Sequence, residues 1–252
     1  MLTFIKAALR TTYQRAVKYD LHYLDLTHLN PNENYDIIHL KHHYAPVVDM
    51  RGITNTYQTA TINLDLAESA IYSNLSKYTR YDIRRAIKDG VLYSANLTPS
   101  AMDVVEITAA HADLVFRKNI RLISSNIYET IRSRGELLIT KTTDSKGQPL
   151  SYHAYIVRRQ IAILLTSVTI LSQLTPHERQ LAGRANRLNH WEDILLLKKN
   201  GITICDLGGS GNSKGLASFK DEFCVDIVPV YYSIYPITFI GNIVVKLRKL
   251  SP

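Results

Sequence analysis

Residues 191–223, WEDILLLKKNGITICDLGGSGNSKGLASFKDEF, read as helix, strand, glycine-rich turn and second helix with almost no slack. Trp191, Ile194 and Leu195 give a helical apolar face, and Asn200-Gly201 closes that helix with residues that tolerate positive φ. The short apolar run Ile202 to Cys205 has the pattern of a buried strand. It ends in Asp206-Leu207-Gly208-Gly209-Ser210-Gly211, where missing β-carbons let the backbone turn sharply or let a ligand come close. A helix from about Lys214 to Phe223 follows. A carboxylate at a strand end, ahead of a helix carrying Lys220, suits a reaction centre. From spacing alone an ordinary turn with a surface lysine is the better reading, since glycine turns at strand ends are common.

Elsewhere the periodicity alternates between helix and strand. TATINLDL (59–66) alternates as a half-buried strand should, a long basic helix spans about 67–89, and Leu92–Leu97 is a short strand. Two helices are expected near 100–117 and 125–134, the first opened by Pro99-Ser100. A meander of three strands follows, 137–143, 150–157 and 161–169, with turns at Asp144–Gly147 and Arg158–Gln160. Strands 202–205 and 226–235 complete the sheet. The fold class is α/β (α+β): a mixed, mostly antiparallel central sheet flanked by helices. The domain reading is a lead segment 1–58, a core domain 59–236 and a basic apolar tail 237–252.

At 252 residues and 46% apolar content the chain can bury a substantial core. No apolar run reaches the 18 or so residues needed to cross a bilayer, and the N-terminus lacks a signal-peptide core, which places the chain in the cytoplasm. Cys205 and Cys224 are the only cysteines, too few for a disulfide framework or a cysteine metal site, and no metal is expected. The net charge of +8 calls for an anionic partner without saying which. Lys77, Arg80, Arg84 and Lys88 recur on one helix face, suited to a phosphate or simply to solvent.

Two blocks carry a resemblance. The pattern W-x-x-I-x-x-x-K-x-x-G-x-x-x-x-D-L-G-G, followed by G-L-x-x-F-K-x-x-F, is similar to the C-terminal half of FemABX-type transferases, a branch of the GNAT acyltransferase superfamily. Residues 74–91 resemble that family's basic helix, K-x-x-R-x-x-I-R-R-A-x-x-x-G-V. The resemblance covers roughly 59–232 and implies a GNAT fold. It further implies that Phe219 and Lys220 lie at the donor channel, with Lys220 stabilising developing negative charge and Asp206 relaying a proton or holding the turn. Gln180-Leu181-Ala182-Gly183-Arg184-Ala185 matches Q-x-x-G-x-A, the pyrophosphate loop of many GNAT acetyltransferases, with Arg179 and Arg184 as supplementary cations. Lys77, Arg80, Arg84, Gly208 and Gly209 become candidate substrate contacts.

These features imply an N-acyltransferase acting on an amine of a cell-envelope or polysaccharide precursor, such as an amino sugar or a sugar nucleotide, with acyl-CoA as donor. Aminoacyl-tRNA is the alternative donor, and a non-catalytic basic RNA-binding module is the alternative from another class. Tyr155 is a candidate acid for the leaving group and His153 a candidate base; core packing is the competing role for each. The apolar, basic flanks either pack together or rest on the anionic inner face of a membrane.

Overall fold

A computed structural model of the chain describes residues 17–22, 36–44, 51–118, 120, 122–172, 174–209, 213–223 and 225–249. Its contacts form two compact units, residues 60–227, and residues 1–59 together with 228–252.

In the unit 60–227 a mixed sheet runs in the order β3-β8-β7-β6-β5-β4. Its strands are the end of β3 (Ile53–Asn63), β4 (Leu92–Asn96), β5 (Leu137–Thr143), β6 (Pro149–Arg158), β7 (Ile161–Thr169) and β8 (Ile204–Asp206). The meander β5-β6-β7 is antiparallel as its short turns require, and β8 joins β7 in parallel, Ile161 facing Ile204 and Ile163 facing Asp206. Mixed, mostly antiparallel and flanked by helices, the sheet agrees with the fold class expected from the sequence.

The expected basic helix is two helices, α1 (Glu68–Asn74) and α2 (Lys77–Lys88). Leu75 and Ser76 are extended, at ψ 148° and 151°, and the Ser76 hydroxyl caps α2 by accepting from the Thr79 amide at 3.0 Å. α3 (Ala101–Lys118) and α4 (Ser125–Ser133) follow β4.

A second correction concerns residues 180–185. They are not a loop: one helix, α5 (Pro176–Lys199), runs unbroken through them. Thr175 and Glu178 form a capping box with Pro176 in the first turn, a strong start signal four residues before Gln180. Ala182, Ala185, Leu188, Ile194 and Leu197 on α5 are buried in the core shared with Ile83 and Ala86 of α2, Leu138 of β5 and Tyr155 of β6. The unit closes with α6 (Lys214–Asp221), capped by Ser213.

In the other unit β1 (Val17–His22) runs parallel to β2 (Ile37–His43), and β2 pairs antiparallel with residues 231–236 of β9 (Asp226–Pro236). The tail residues 239–249 form a helix, α7 (Phe239–Lys249), whose Val244 and Val245 pack on Ile37 and Ile234. Gly241 lies so close to the chain that a β-carbon there would stand 1.9 Å from the Asp36 carbonyl oxygen. Gly241→Ala is therefore expected to lower stability by about 1–3 kcal/mol or more, read as a lower urea midpoint by circular dichroism. An unchanged midpoint would show that α7 seats differently.

Candidate active site

β7 and β8 are paired only as far as Ile163 and Asp206; beyond that point the two parallel strands part. β7 carries a bulge there, since Ala154 faces Thr166 while Tyr155 faces Leu164, and the extra residue re-aims its neighbours. β8 leaves through Leu207 and Gly208, whose φ of 77° suits glycine. A cavity of about 220 Å³ fills the gap. Leu164 and Ser167 of β7, Leu207, Asn186 and His190 of α5, and Leu216, Phe219 and Lys220 of α6 line it.

Lys220, Asp206, Gly208, Gly209 and Phe219 are brought together here. Asp206 is fully buried, and its Oδ1 accepts from the Gly208 amide at 2.6 Å, fixing the turn as an aspartate at a strand end commonly does. Lys220 is only 3% exposed; its ammonium donates to the carbonyl oxygens of Gly208 and, at 3.0 Å, of Gly209. Burial pushes its pKa down to about 8, against the opposing pull of the Asp206 charge. A compact cation with a readily released proton thus borders the cavity.

Behind this wall α5 turns a polar stripe toward the sheet: Asn186, Asn189, His190 and Asp193, all buried. Asp193 is its hub. Its Oδ2 accepts from His153 Nδ1 at 2.6 Å and from the Tyr155 hydroxyl at 2.8 Å, and its Oδ1 accepts from the Tyr93 hydroxyl at 3.0 Å. His153 Nε2 meets Asn186 Oδ1 at 3.0 Å, which ties the network to the cavity wall. Asn189 continues it, accepting from Thr140 and donating to Ser151.

Two of the sequence candidates therefore stand behind the cavity. Tyr155 is fully buried, and burial with the Asp193 charge holds its hydroxyl protonated far above its ordinary range, as a donor to that carboxylate. His153 is clamped between Asp193 and Asn186.

His190, which sequence reasoning missed, lies in front. Its ring stacks 4.1 Å from that of His153 and packs on Phe219 and Phe223 at 5.3 and 5.2 Å. Among the described residues its Nε2 is buried without a hydrogen-bond partner. Burial, and then the positive groups around it, hold its pKa well below the ordinary value, so the ring is neutral at pH 7. His153, His190 and Asp193 each place a ligand atom within 4.8 Å of the others, the spacing of a metal site. His153 is already engaged by Asp193 and Asn186, and the Asp193 carboxylate also accepts from two tyrosines. One signal for the stripe was available in the sequence: polar residues at 186, 189, 190 and 193 repeat at three- and four-residue steps inside an otherwise apolar helix.

The phosphate-binding candidates are distributed differently. Ala185 is buried, and Gly183, Arg184 and Gln180 lie inside α5, where helical bonding engages the backbone amides of the Q-x-x-G-x-A string. The Thr175 hydroxyl accepts from the Glu178 amide in the first turn, and the Glu178 carboxylate there opposes a diphosphate. Arg184 reaches Asp82 of α2 at 3.7 Å and Asp89, the residue that ends that helix, at 3.3 Å. Arg187 binds Glu222 at 2.8 Å and Asp82 at 3.5 Å, with its guanidinium 4.9 Å from the Tyr78 ring centre. Arg179 and Gln180 are exposed. Arg80 caps α1 by donating to the carbonyls of Ser73 and Leu75, both at 2.5 Å; Arg84 reaches the Tyr72 hydroxyl at 3.3 Å, and Lys77 is exposed.

No family model and no curated protein sequence matches the chain. Solved structures do. The crystal structure of FemX superposes with a TM-score of 0.60 over 81% of this chain and 72% of that one, at 11% identity. The fold is FemX-like. The C-terminal domain of a protein described as a lysylphosphatidylglycerol synthetase, from Agrobacterium fabrum, superposes at 0.53 over 85% of this chain and 72% of that one, with 11% identity. L-PGS from Bacillus licheniformis gives 0.52 over the same shares, with 12% identity. The FemX-like fold agrees with the FemABX resemblance of the two sequence blocks.

Proposed function

We propose that the chain is a transferase that moves an aminoacyl or acyl group from an activated carrier to an amine of a cell-envelope or polysaccharide precursor. One observation carries this reading: a buried, low-pKa lysine and a neutral histidine with an unpartnered Nε2 border one cavity where two parallel strands part. The acceptor nitrogen attacks the carrier-bound carbonyl, forming the C–N bond. The Lys220 ammonium lies where it stabilises the oxyanion. His190 Nε2 takes the proton released by the amine, and the carrier departs with the electrons of the broken C–O or C–S bond. His153, itself held by Asp193, packs against the His190 ring from behind, and Phe219 walls the donor side.

The helical conformation of residues 180–185 removes the feature that favoured acyl-CoA. An aminoacyl ester on tRNA is the favoured donor, in keeping with a neighbour whose name is that of a synthetase of a lysylated lipid. The cations of α2 and the chain's net charge of +8 suit either donor.

Titration calorimetry of the full chain with acetyl-CoA, with free CoA and with a non-hydrolysable aminoacyl-tRNA tests the donor. Micromolar binding of aminoacyl-tRNA and none of CoA is expected, and the reverse would restore acyl-CoA. Salt-steep RNA binding that ignores the aminoacyl group, with no transfer to any amine, would replace the transferase by a binding module. In the assay that succeeds, His190→Gln is expected to reduce turnover about 100-fold and to abolish the acid limb of the pH profile, within the usual range for a lost general base. A retained limb would remove His190 from the proton path.

A further inference from the structure

Among the described residues, helix α7 is held to its unit by one face and leaves another apolar face exposed. Gly241, Val244 and Val245 are buried, and the entry is fixed by the Thr238 hydroxyl donating to Asp36 at 2.6 Å. Away from that seat, Phe239 is 79% exposed, Ile240 58% and Ile243 44%, with Leu247 one turn on and Ile237 just ahead of the helix, both also exposed. At 100° per residue, 239, 240, 243 and 247 fall within an arc of about 100°, and Lys246 borders it. No acidic residue occurs in 237–249, whereas Lys246, Arg248 and Lys249 fill the last turn.

We propose that this face docks the protein on an anionic lipid bilayer, with Phe239, Ile240, Ile243 and Leu247 at the boundary of the acyl chains and Lys246 among the headgroup phosphates. A helix with one anchored face, one bare apolar face and a basic border has the build of an interfacial helix. The charge selects lipid over a second copy, because a symmetric contact through this face would bring two basic helix ends together with no carboxylate of α7 to offset them. Docking does not depend on the transferase reading.

Sedimentation of the full chain with vesicles tests it. Binding is expected to phosphatidylcholine vesicles containing half phosphatidylglycerol at low salt, and at least about tenfold weaker binding to phosphatidylcholine alone. Phe239→Ser with Ile243→Ser, both at exposed positions, is expected to weaken binding about tenfold or more with an unchanged circular dichroism spectrum. Lys246→Glu is expected to reduce the preference for anionic vesicles. Wild-type protein that stays in the supernatant would overturn the proposal, as would binding unaffected by the double substitution. A dimer in solution that the same double substitution dissociates, without vesicle binding, would assign the face to a second copy instead.

Discussion

Asp193→Ala is expected to destabilise the protein by about 3–5 kcal/mol, among the largest effects of any single substitution in the unit 60–227. The carboxylate is completely buried and accepts from three donors, His153, Tyr155 and Tyr93. Alanine removes the acceptor that all three buried donors share, and each unsatisfied buried polar group costs about 1–3 kcal/mol. For a unit of this size the loss corresponds to a fall in Tm of roughly 10 °C. The single tryptophan, Trp191, is two residues away and packs edge-on against Tyr72 at 5.0 Å, so its fluorescence reports the transition directly. Tyr93→Phe, which removes one donor and keeps the acceptor, is expected to cost only about 1 kcal/mol. A loss below 1 kcal/mol for Asp193→Ala would mean that the stripe on α5 is hydrated.

Lys220→Ala is expected to reduce turnover about 100- to 1000-fold, the usual result of deleting a preorganised oxyanion donor, with a smaller effect on KM. Arginine should not rescue it, because the planar guanidinium does not fit where a point charge contacts two adjacent carbonyls. A fully active Lys220→Ala enzyme would remove this lysine from the chemistry while leaving the reaction class standing. The pH dependence of stability gives a second readout. Lys220 loses its proton near pH 8 when folded and near 10.5 when unfolded, so between those values the unfolded chain binds more protons. Stability therefore rises with pH across that window. Lys220→Met should lack this increment, and parallel curves for the two proteins would contradict the lowered pKa.

Much of the sheet was legible in the sequence because β5, β6 and β7 combine strand-length apolar runs with short polar turns, so that period and punctuation agree. Gly208, Lys220 and Asp206 were legible for the same local reason: a glycine turn must follow that strand, and a capped helix must follow the turn. The Q-x-x-G-x-A resemblance pointed to a loop at 180–185, although Thr175-Pro176-x-Glu178 is a clear helix opening. Gly183 has the look of a turn residue, yet a single helical glycine costs only about 1 kcal/mol and long helices absorb it. Asp193 and His190 escaped notice because their roles arise from partners 38 to 100 residues distant, namely Tyr155, His153 and Tyr93. Spacing along one helix marks such residues as polar, while only the register of β6 beneath them turns polarity into a network.

The unbroken run of α5 also limits how this protein can diverge. Arg184 and Arg187, facing α2, and Asn186, His190 and Asp193, facing the sheet and cavity, share one rod with a fixed angular relation. A one-residue insertion between 187 and 193 would rotate everything beyond it by about 100° and carry Asp193 away from its three donors. Substitutions along α5 can therefore accumulate singly, whereas length changes must fall outside the rod, before Thr175 or after Asn200. Relatives that retain this chemistry should show gaps at those two places and none between them.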